Sequence, residues 1–314
     1  MIDGLEARCY NPYQGVSSMI RFEKHLSNPI YGDSCTGTIF DVYVTKETER
    51  FRMDFSWRRK KALGVSFSPD GYSWDSPRIS LPAVPESPWE ADANRNCVLS
   101  EGGLWKMWYT GQARGRSCIG YAESPDGLSF TRIREEPVLM PETDFEGESV
   151  MNPCVLRIGE VYRMWYAAGE TYEPNVLCCA DSPDGIFWTK KEGNPIFTCD
   201  PRHVYEQERV GGCQVLPHSE LGYLMFYIGY RDINTACICA AASHDGVTEW
   251  KRFRGNPLVT PDPGAWDGEA CYKPSALFDS GRNLWRIWYN GRRGSEEYIG
   301  VAEGYGDFAQ EDFE

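Results

Sequence analysis

The sequence predicts an all-β protein, a five-bladed β-propeller of four-stranded antiparallel blades whose ring is closed by the N-terminal segment. Two repeated phrases carry this prediction. A strand-like phrase occurs five times, as RMDFSW at 52–57, KMWYTG at 106–111, RMWYAA at 163–168, LMFYIG at 224–229 and RIWYNG at 286–291. A turn-like phrase occurs four times, as SPDGYSW at 68–74, SPDGLSF at 124–130, SPDGIFW at 182–188 and SHDGVTEW at 243–250. Such internal repetition is the sequence signature of propeller architectures.

Each repeat contains four segments with the composition of strands. The strand-like phrase is preceded by a run such as IFDVYV or NPCVL and followed by a small-residue run such as CIGYAE or CICAAA. Aromatic and branched side chains bounded by Gly, Pro and Asp are typical of strands. The repeats are 54 to 62 residues apart, and the fifth leaves little chain for an outer strand, so we expect residues 8–31 to supply it. Residues 1–314 are therefore expected to form one propeller domain.

The SPDG phrase is interpreted as a turn that takes no part in chemistry. Pro presets the backbone for a turn, Asp accepts hydrogen bonds from nearby N–H groups, and Gly adopts the left-handed conformation. The phrase also resembles the Asp-box of sialidase propellers, which is a structural turn. In an up-and-down blade, this turn between the third and fourth strands lies on the face opposite to the start of the inner strand.

Composition narrows the choice of partners. The formal net charge of −14 argues against nucleic acid, whose phosphates need clustered cations. No window of about 18 apolar residues could span a membrane, and the start, MIDGLEARCYNPYQ, lacks the features of a signal peptide, so a soluble cytoplasmic protein is expected. The twelve Cys are interpreted as reduced core residues, and the four His have no zinc-ligand spacing, so no metal ligand is predicted. A bound metal ion and the oligomeric state stay open.

The candidate ligand site lies in the central funnel, where the inner strands begin. Four repeats place an acid, a spacer and a second acid there: Glu90 and Asp92, Glu146 and Glu148, Glu206 and Glu208, and Asp267 and Glu269. The first acid of each pair has a structural interpretation as well as a functional one, and the second is expected to face the funnel. Positions that differ between copies are more informative, namely Asp41, Arg95, Asn152, Gly212 and Lys273. One acid, two cations and one amide at a corresponding place predict a polar ligand site.

The turns between second and third strands are expected on the same face and add Trp57, Arg58, Arg231 and Arg292. Aromatic rings beside charged hydrogen-bonding groups suit a sugar, whose ring has apolar C–H faces and hydroxyl edges. We therefore predict a carbohydrate substrate. The predicted substrate-binding residues are Arg95, Asn152, Lys273, Trp57, Arg58, Arg209, Arg231, Glu269 and Arg292.

The five copies, with their MWY strands, SPDG-type turns and NPIF or NPLV lead-ins, resemble the five-bladed propellers of glycoside hydrolase families 43, 32, 62 and 68. They also resemble family 130, the mannoside phosphorylases. The resemblance covers nearly the whole chain. In the hydrolases an Asp on blade 1 is base or nucleophile, an Asp on blade 3 orients, and a Glu on blade 4 is the acid, which implies Asp41 as base and Glu208 or Glu206 as acid. On blade 3 this chain has Asn152-Pro153 where the family has Asp-Pro, so Glu148 is the nearest carboxylate and the three-acid pattern is broken.

Three functions are consistent with these observations. The first is an inverting glycoside hydrolase with Asp41 as base and Glu208 or Glu148 as acid, the two carboxyl groups standing about 6.5–9.5 Å apart. The second is a glycoside phosphorylase, in which inorganic phosphate is the co-substrate and cations such as Arg95 and Lys273 hold it. The third is a non-catalytic carbohydrate-binding propeller, suggested by Asn152. None of the three requires a further cofactor.

Overall fold

The computed structural model describes residues 19–171 and 174–314, most of which lie in β-strands. Four short 3-10 helices occur in these ranges, at Arg58–Lys60, Asp144–Glu146, Val204–Glu206 and Gln310–Asp312, and no α-helix. No helix in this part of the chain is long and apolar enough to cross a membrane. The chain is therefore nearly all-β, as the repeated phrases predicted.

The strands fall into five units, one for each strand-like phrase. The N-terminal strand is β1 (Glu23–Lys24). Unit 1 contains β2 (Ile39–Lys46), β3 (Phe51–Trp57), β4 (Ala62–Ser68) and β5 (Arg78–Leu81). Unit 2 contains β6 (Asp92–Glu101), β7 (Leu104–Ala113), β8 (Arg116–Ser124) and β9 (Thr131–Arg132). Unit 3 contains β10 (Ser149–Ile158), β11 (Val161–Gly169), β12 (Pro174–Ser182), β13 (Thr189–Lys190) and β14 (Phe197–Thr198). Unit 4 contains β15 (Arg209–His218), β16 (Gly222–Asp232), β17 (Thr235–Ser243) and β18 (Lys251–Arg252). Unit 5 contains β19 (Ala270–Asp279), β20 (Leu284–Arg293) and β21 (Glu296–Tyr305).

Within each unit, neighbouring strands pair antiparallel in chain order, and in unit 3 both β13 and β14 pair with β12. Short parallel pairs, Ser117 with Ser149 and Ala236 with Ala270, join unit 2 to unit 3 and unit 4 to unit 5. The described strands therefore form three hydrogen-bonded sheets, of four, nine and eight strands, and no sheet among them closes on itself.

The N-terminal segment lies against the last strand of unit 5. Strand β1 pairs antiparallel with β21, and the side-chain amide of Asn28 bonds both backbone groups of Val301 in that strand. Asn194 and Asn256 hold the third strands of units 3 and 4 in the same way. The contact thus uses residues 23–31 of the segment expected at the outer edge, whereas residues 8–18 of that segment lie outside the described residues.

A buried acid is fixed in units 2 to 5 by the same pair of contacts. Glu90 accepts a hydrogen bond from the Tyr109 hydroxyl at 2.6 Å and lies 2.7 Å from Arg132 in β9. The equivalent sets are Glu146 with Tyr166 and Lys190, Glu206 with Tyr227 and Arg252, and Asp267 with Tyr289 and Lys24. All four acids are buried. The first acid of each sequence pair therefore has the structural role, tying the inner, second and outer strands of a unit together.

The SPDG-type turns make the same local hydrogen bonds in units 1 to 4. In each turn the Asp carboxylate accepts two backbone N–H groups and the Ser hydroxyl accepts the Gly N–H. Three of the turns also receive an indole N–H from another unit, as Trp108 donates to Gly185 O at 2.7 Å, Trp165 to Gly246 O at 2.6 Å and Trp288 to Gly71 O at 2.9 Å. The turns are therefore structural joints, both within units and between them.

Candidate functional site

Each inner strand carries a β-bulge at the same place, where its register with the second strand shifts. In four units the first bulged residue has a left-handed backbone: Asp41 (φ 55°), Arg95 (φ 51°), Asn152 (φ 55°) and Lys273 (φ 51°). This conformation costs a residue such as Arg or Lys about 1–2 kcal/mol, whereas Asp and Asn tolerate it better, and a bulge re-aims the side chain. Strain that recurs at one level of a fold points to function, because the surrounding structure must maintain it.

Unit 4 has Gly212 at the corresponding position. A Cβ on Gly212 would lie 2.6 Å from Cγ of Asn152. The side chain of Asn152 therefore occupies the space that a larger residue of unit 4 would need. Gly212 leaves room for the Asn152 side chain at this position.

The four bulge side chains meet in one cavity of about 520 Å³. The turns between second and third strands complete its wall. Its charged lining residues are Asp41, Arg58, Lys61, Asp92, Arg95, Lys273, Arg292 and Glu297. Five cations against three carboxylates give this lining a formal charge of +2, in a chain whose formal net charge is −14. Positive charge is therefore concentrated at the cavity, which favours an anionic ligand there.

Asp41 lines the cavity and is 3% exposed. Its Oδ2 accepts a hydrogen bond from the Ser56 hydroxyl at 3.0 Å, and Nε of Arg95 lies 3.8 Å from the same oxygen. The Ser56 hydroxyl also accepts the backbone N–H of Arg95 at 2.8 Å. One hydroxyl therefore fixes both the carboxylate of unit 1 and the bulge of unit 2.

Several polar groups around Asp41 have no protein partner in residues 19–171 and 174–314. Nη1 of Arg95 and Oδ1 of Asn152 are buried without a hydrogen bond. The Lys273 ammonium, on a residue that is 3% exposed, forms no ion pair and no hydrogen bond there either. Burial lowers the pKa of Lys273, although Asp41 acts to raise it. Buried polar groups are normally hydrogen-bonded, so this cluster is suited to bind a polar, charged molecule.

Glu297 is a second buried carboxylate of the cavity, and its oxygens are already engaged. Nη2 of Arg58 lies 2.6 Å from its Oε1, and the hydroxyl of Tyr272 donates to its Oε2. Burial and the neighbouring Glu297 raise the pKa of Tyr272 well above its ordinary value, so the phenol stays protonated. The third carboxylate, Asp92, lies 3.2 Å from Lys61. Asp41 is therefore the carboxylate of the cavity whose charge is least compensated at short range.

The structure brings six of the twelve predicted catalytic and substrate-binding residues to the cavity: Asp41, Arg58, Arg95, Asn152, Lys273 and Arg292. Asp92, the second acid of the unit 2 pair, lines it as well. The other six lie outside its lining: Trp57, Glu148, Glu208, Arg209, Arg231 and Glu269. Most of these are engaged elsewhere. Glu148 pairs with Arg116 at 2.9 Å, and Glu208 pairs with Arg209 at 2.8 Å.

Glu297, Tyr272 and Lys61 line the cavity and were not selected from the sequence. Tyr272 directly precedes Lys273 at the bulge, and Glu297 lies at the start of the third strand of unit 5. In an antiparallel unit the third strand begins at the same end as the inner strand. A charged residue at the start of a third strand, such as Glu297, could therefore have been selected from the sequence. Among the described residues, no group of three or more His, Cys, Asp or Glu side chains is arranged to hold a metal ion.

No family model matches the chain. It is 30% identical over 145 residues to an uncharacterized protein of Mycobacterium tuberculosis (strain CDC 1551 / Oshkosh), covering 41% of this chain and 44% of the relative. It is 26% identical over 194 residues to a 1,2-beta-oligomannan phosphorylase of Thermoanaerobacter sp. (strain X514), covering 58% of this chain and 59% of the relative. The chain spans between 44% and 61% of the length of the curated relatives it matches.

The fold is similar to that of a thermostable family-43 glycoside hydrolase, with a TM-score of 0.70 and 18% identity over 87% of this chain and 91% of that one. It is also similar to a structure from the GH130 family of mannoside phosphorylases, described as containing glycoside hydrolases that target beta-1,2 mannosidic linkages in Candida mannan. Here the TM-score is 0.68 and the identity 14% over 94% of this chain and 96% of that one. At these identities the likeness shows a propeller fold of the glycosidase type, as the resemblance of the repeats implied.

Proposed function

We propose that this chain is a glycoside phosphorylase, which cleaves a β-mannoside with inorganic phosphate in the cavity. The observation that carries the proposal is the cavity's formal charge of +2 in a chain of −14. Water needs no such charge, whereas a phosphate dianion needs convergent cations. Arg95 and Lys273, whose donors are incompletely used by the protein, are the proposed phosphate ligands, with Arg292 at the wall.

The five units are proposed to be the blades of a closed propeller. Their inner strands contact one another in cyclic order, β2 with β6, β6 with β10, β10 with β15, β15 with β19 and β19 with β2. The hydrogen bond from Trp288 to Gly71 joins the last unit to the first. In this arrangement β1 is the outer strand of unit 5, because Lys24 supplies the cation that β9, β13 and β18 supply in their units.

The cavity has one carboxylate without a cation at short range, and this number also supports phosphorolysis. Hydrolysis with inversion requires an acid and a base that activates water. Phosphate is already a nucleophile, so phosphorolysis requires only the acid. Asp41 is the proposed acid, because Glu297 is held by Arg58 and Tyr272 and Asp92 by Lys61.

The proposed step conserves atoms and charge. A phosphate oxygen bonds to the anomeric carbon while the glycosidic C–O bond breaks, and Asp41 gives its proton to the departing sugar oxygen. The proton that phosphate loses restores Asp41. Attack from the face opposite to the leaving group inverts a β-mannoside to α-mannose 1-phosphate. Asn152, whose amide oxygen is buried without a partner, is proposed to accept a sugar hydroxyl.

The choice of a β-mannoside rests on the curated relatives. Two that match are a 1,2-beta-oligomannan phosphorylase and a beta-1,2-mannobiose phosphorylase. The direct experiment incubates the protein with β-1,2-mannobiose, with and without inorganic phosphate, and measures mannose and mannose 1-phosphate. Mannose 1-phosphate formed only with phosphate supports the proposal. Mannose released at the same rate without phosphate indicates hydrolysis, and binding without cleavage across a panel of glycosides indicates a carbohydrate-binding protein.

A substitution separates the two enzymatic mechanisms further. If hydrolysis used Glu208 as acid, as the resemblance to the hydrolases implied, Glu208→Gln would lower turnover by about 10²-fold or more. In the proposed phosphorylase, Glu208 lies outside the cavity lining and pairs with Arg209, so the same change is expected to alter turnover less than about threefold. Glu148→Gln serves as the matched test on unit 3.

A further inference from the structure

A second pocket, of about 440 Å³, opens beside the cavity at the junction of units 5 and 1. We call it the side pocket. It is lined by Ser34, Thr38, Arg58, Arg59, Ser295 and Tyr298, with Gly37 and Glu296 beside them, and it shares Arg58 and Ser295 with the cavity. The cavity and the side pocket are therefore neighbours that meet at Arg58 and Ser295.

Two hydrogen bonds fix the wall of the side pocket, one across the junction and one on the unit 1 side. The Thr38 hydroxyl donates to Ser295 O at 3.3 Å, and Nη1 of Arg59 donates to Cys35 O at 2.7 Å. Gly37 has a φ of 72°, and a Cβ there would meet Nε of Arg59 at 3.2 Å. The loop before β2 therefore packs closely on the Arg59 side chain and holds the guanidinium at the pocket.

The side pocket has the chemistry that recognises a sugar ring. Tyr298 offers a half-buried aromatic ring, and Ser34 and Ser295 offer hydroxyl groups. Arg59 is exposed and forms no ion pair within residues 19–171 and 174–314, and its one hydrogen bond there goes to a backbone carbonyl, so most of its N–H donors are left for a ligand or solvent. Glu296 adds an acceptor beside the phenol of Tyr298, whose pKa is raised by burial and by that carboxylate.

We propose that the side pocket binds the leaving saccharide, the unit on the far side of the bond that the cavity breaks, with Tyr298 against its ring and Arg59 on its hydroxyls. This proposal rests on the proposed function, since it assumes that the cavity holds the transferred sugar and phosphate. Arg58 then stands between the two sugars, held by Glu297 at 2.6 Å and packed over the Phe40 ring at 4.4 Å. Tyr298 and Arg59 would decide which saccharides are released and, in the reverse direction, which are accepted.

The test compares two donors that share the transferred sugar and differ in the leaving group. β-1,2-Mannobiose has a leaving sugar, and β-mannosyl fluoride has none. Tyr298→Ala and Arg59→Ala are each expected to lower kcat/KM for mannobiose about tenfold, the scale of one lost ring contact or charged hydrogen bond. For mannosyl fluoride the change is expected to stay within about twofold, because no group of that donor reaches the side pocket.

Matched controls are an exposed arginine and an exposed tyrosine outside both pockets. Arg293→Ala removes a cation of unit 5 that bonds Gly264 O, and Tyr305→Ala removes a ring that is 73% exposed at the far end of β21. Both are expected to leave the two donors unchanged. Tyr298→Phe keeps the ring and is expected to retain most of the mannobiose activity. An equal loss on both donors, or no loss on either, would overturn the side-pocket proposal.

Failure of the proposed function gives a different result. If wild type transfers mannose from neither donor to phosphate, the phosphorylase proposal is rejected, and the side pocket is then judged by binding. Calorimetric titration of wild type and Tyr298→Ala with mannobiose and with mannose supplies that measurement. A loss of affinity confined to mannobiose supports the side pocket, whereas an equal loss for both sugars, no loss, or no binding of mannobiose overturns it.

Discussion

The two faces of the repeated units use repetition in opposite ways. On one face the SPDG-type turns carry nearly the same residues four times and make the same hydrogen bonds each time. On the other face the bulge position has the same left-handed backbone in four units but holds Asp, Arg, Asn and Lys. A residue that recurs with its contacts serves the frame. A backbone that recurs under different side chains provides fixed positions at which chemistry can vary.

Two lysines illustrate the same contrast, one partly buried and one fully buried. Lys190 lies 2.8 Å from the buried Glu146 and belongs to a set found in units 2 to 5. Lys273 occurs at its bulge in one unit only and has no ion-pair partner among the described residues. The first cation is compensated and is expected to stabilise the fold, whereas the second is buried at a cost and is expected to serve a ligand. The predictions below test this division, beginning with the largest effect.

Replacing Asp41 should affect turnover far more than any change on the turn face. Asp41→Asn is expected to lower kcat about 10³-fold, because the amide cannot carry the acid's proton. Folding should be retained, since Asn152 already occupies the same left-handed bulge position in unit 3. The matched control is Asp126→Asn in the turn of unit 2, which should leave kcat unchanged. Turnover and thermal unfolding of both variants check the prediction, and full activity in Asp41→Asn would remove Asp41 from the mechanism.

Breaking one of the repeated ion pairs should lower the free energy of unfolding and leave turnover unchanged. Lys190→Met is expected to lower the free energy of unfolding by about 3 kcal/mol, because it leaves the buried Glu146 carboxylate without its cation. Lys191→Met is the matched control, since its partner Asp181 is partly exposed, and it should cost less than about 1 kcal/mol. Urea unfolding of the two variants measures the difference. Equal losses of unfolding free energy in the two variants would mean that the repeated pair stabilises the fold no more than a surface ion pair does.

Removing Lys273, which has no ion-pair partner among the described residues, should raise the free energy of unfolding, whereas removing Lys190 should lower it. Burial lowers the pKa of Lys273 in the folded state. At pH values below that lowered pKa, the buried charge therefore reduces the free energy of unfolding. This destabilisation decreases as pH rises and is gone above the unfolded value of about 10.4. Lys273→Met is therefore expected to stabilise the protein at pH 7 by about 1 kcal/mol, a scale common for single stabilising changes. It should also abolish saturation by phosphate.

The measurement is the Tm of wild type and Lys273→Met at pH 7 and pH 10, together with the KM for phosphate. The gap in Tm should narrow at the higher pH. A variant that is less stable than wild type at pH 7 would show that Asp41 holds Lys273 as a structural pair, and the contrast with Lys190 would fail.

The repeated phrases predicted the strands and turns because local composition determines them. Alignment of the copies also placed Asp41, Arg95, Asn152 and Lys273 at corresponding positions, and the structure brings all four to one cavity. Glu208 was harder to place. It follows the 3-10 turn Val204–Glu206. Whether its side chain points into the cavity or towards Arg209 depends on contacts between units, which the repeated sequence pattern does not specify.

The side-chain contacts between unit 5 and unit 1 could not be predicted from the sequence for the same reason. Glu297 has no counterpart in the acid pattern of the inner strands, and its contact with Arg58 joins chain segments far apart in sequence. Residues that repeat can be recognised from the sequence, whereas residues that occur once depend on contacts between units. The lining of the cavity consists largely of residues of the second kind.

The smallest expected effect tests whether a turn carboxylate contributes through its charge or only through its shape. Asp245 accepts the N–H groups of Val247 at 2.8 Å and Thr248 at 2.7 Å. Burial alone would raise the pKa of Asp245, but these hydrogen bonds outweigh it and lower the pKa to about 2. Because this folded value lies below the unfolded value of about 3.9, the charge stabilises the fold above pH 4, and that contribution is lost as pH falls through 2.

Asp245→Asn keeps an oxygen that can accept the same N–H groups and removes the charge. It is expected to cost less than about 1 kcal/mol at pH 6, since the turn is exposed and well solvated. The difference from wild type should shrink between pH 4 and pH 2, where the wild-type carboxylate becomes protonated. Urea unfolding across that range measures it, and a difference that stays constant with pH would mean that the turn acts through geometry alone. The repeated face would then owe its stability to backbone shape, and charge would matter only where the copies differ.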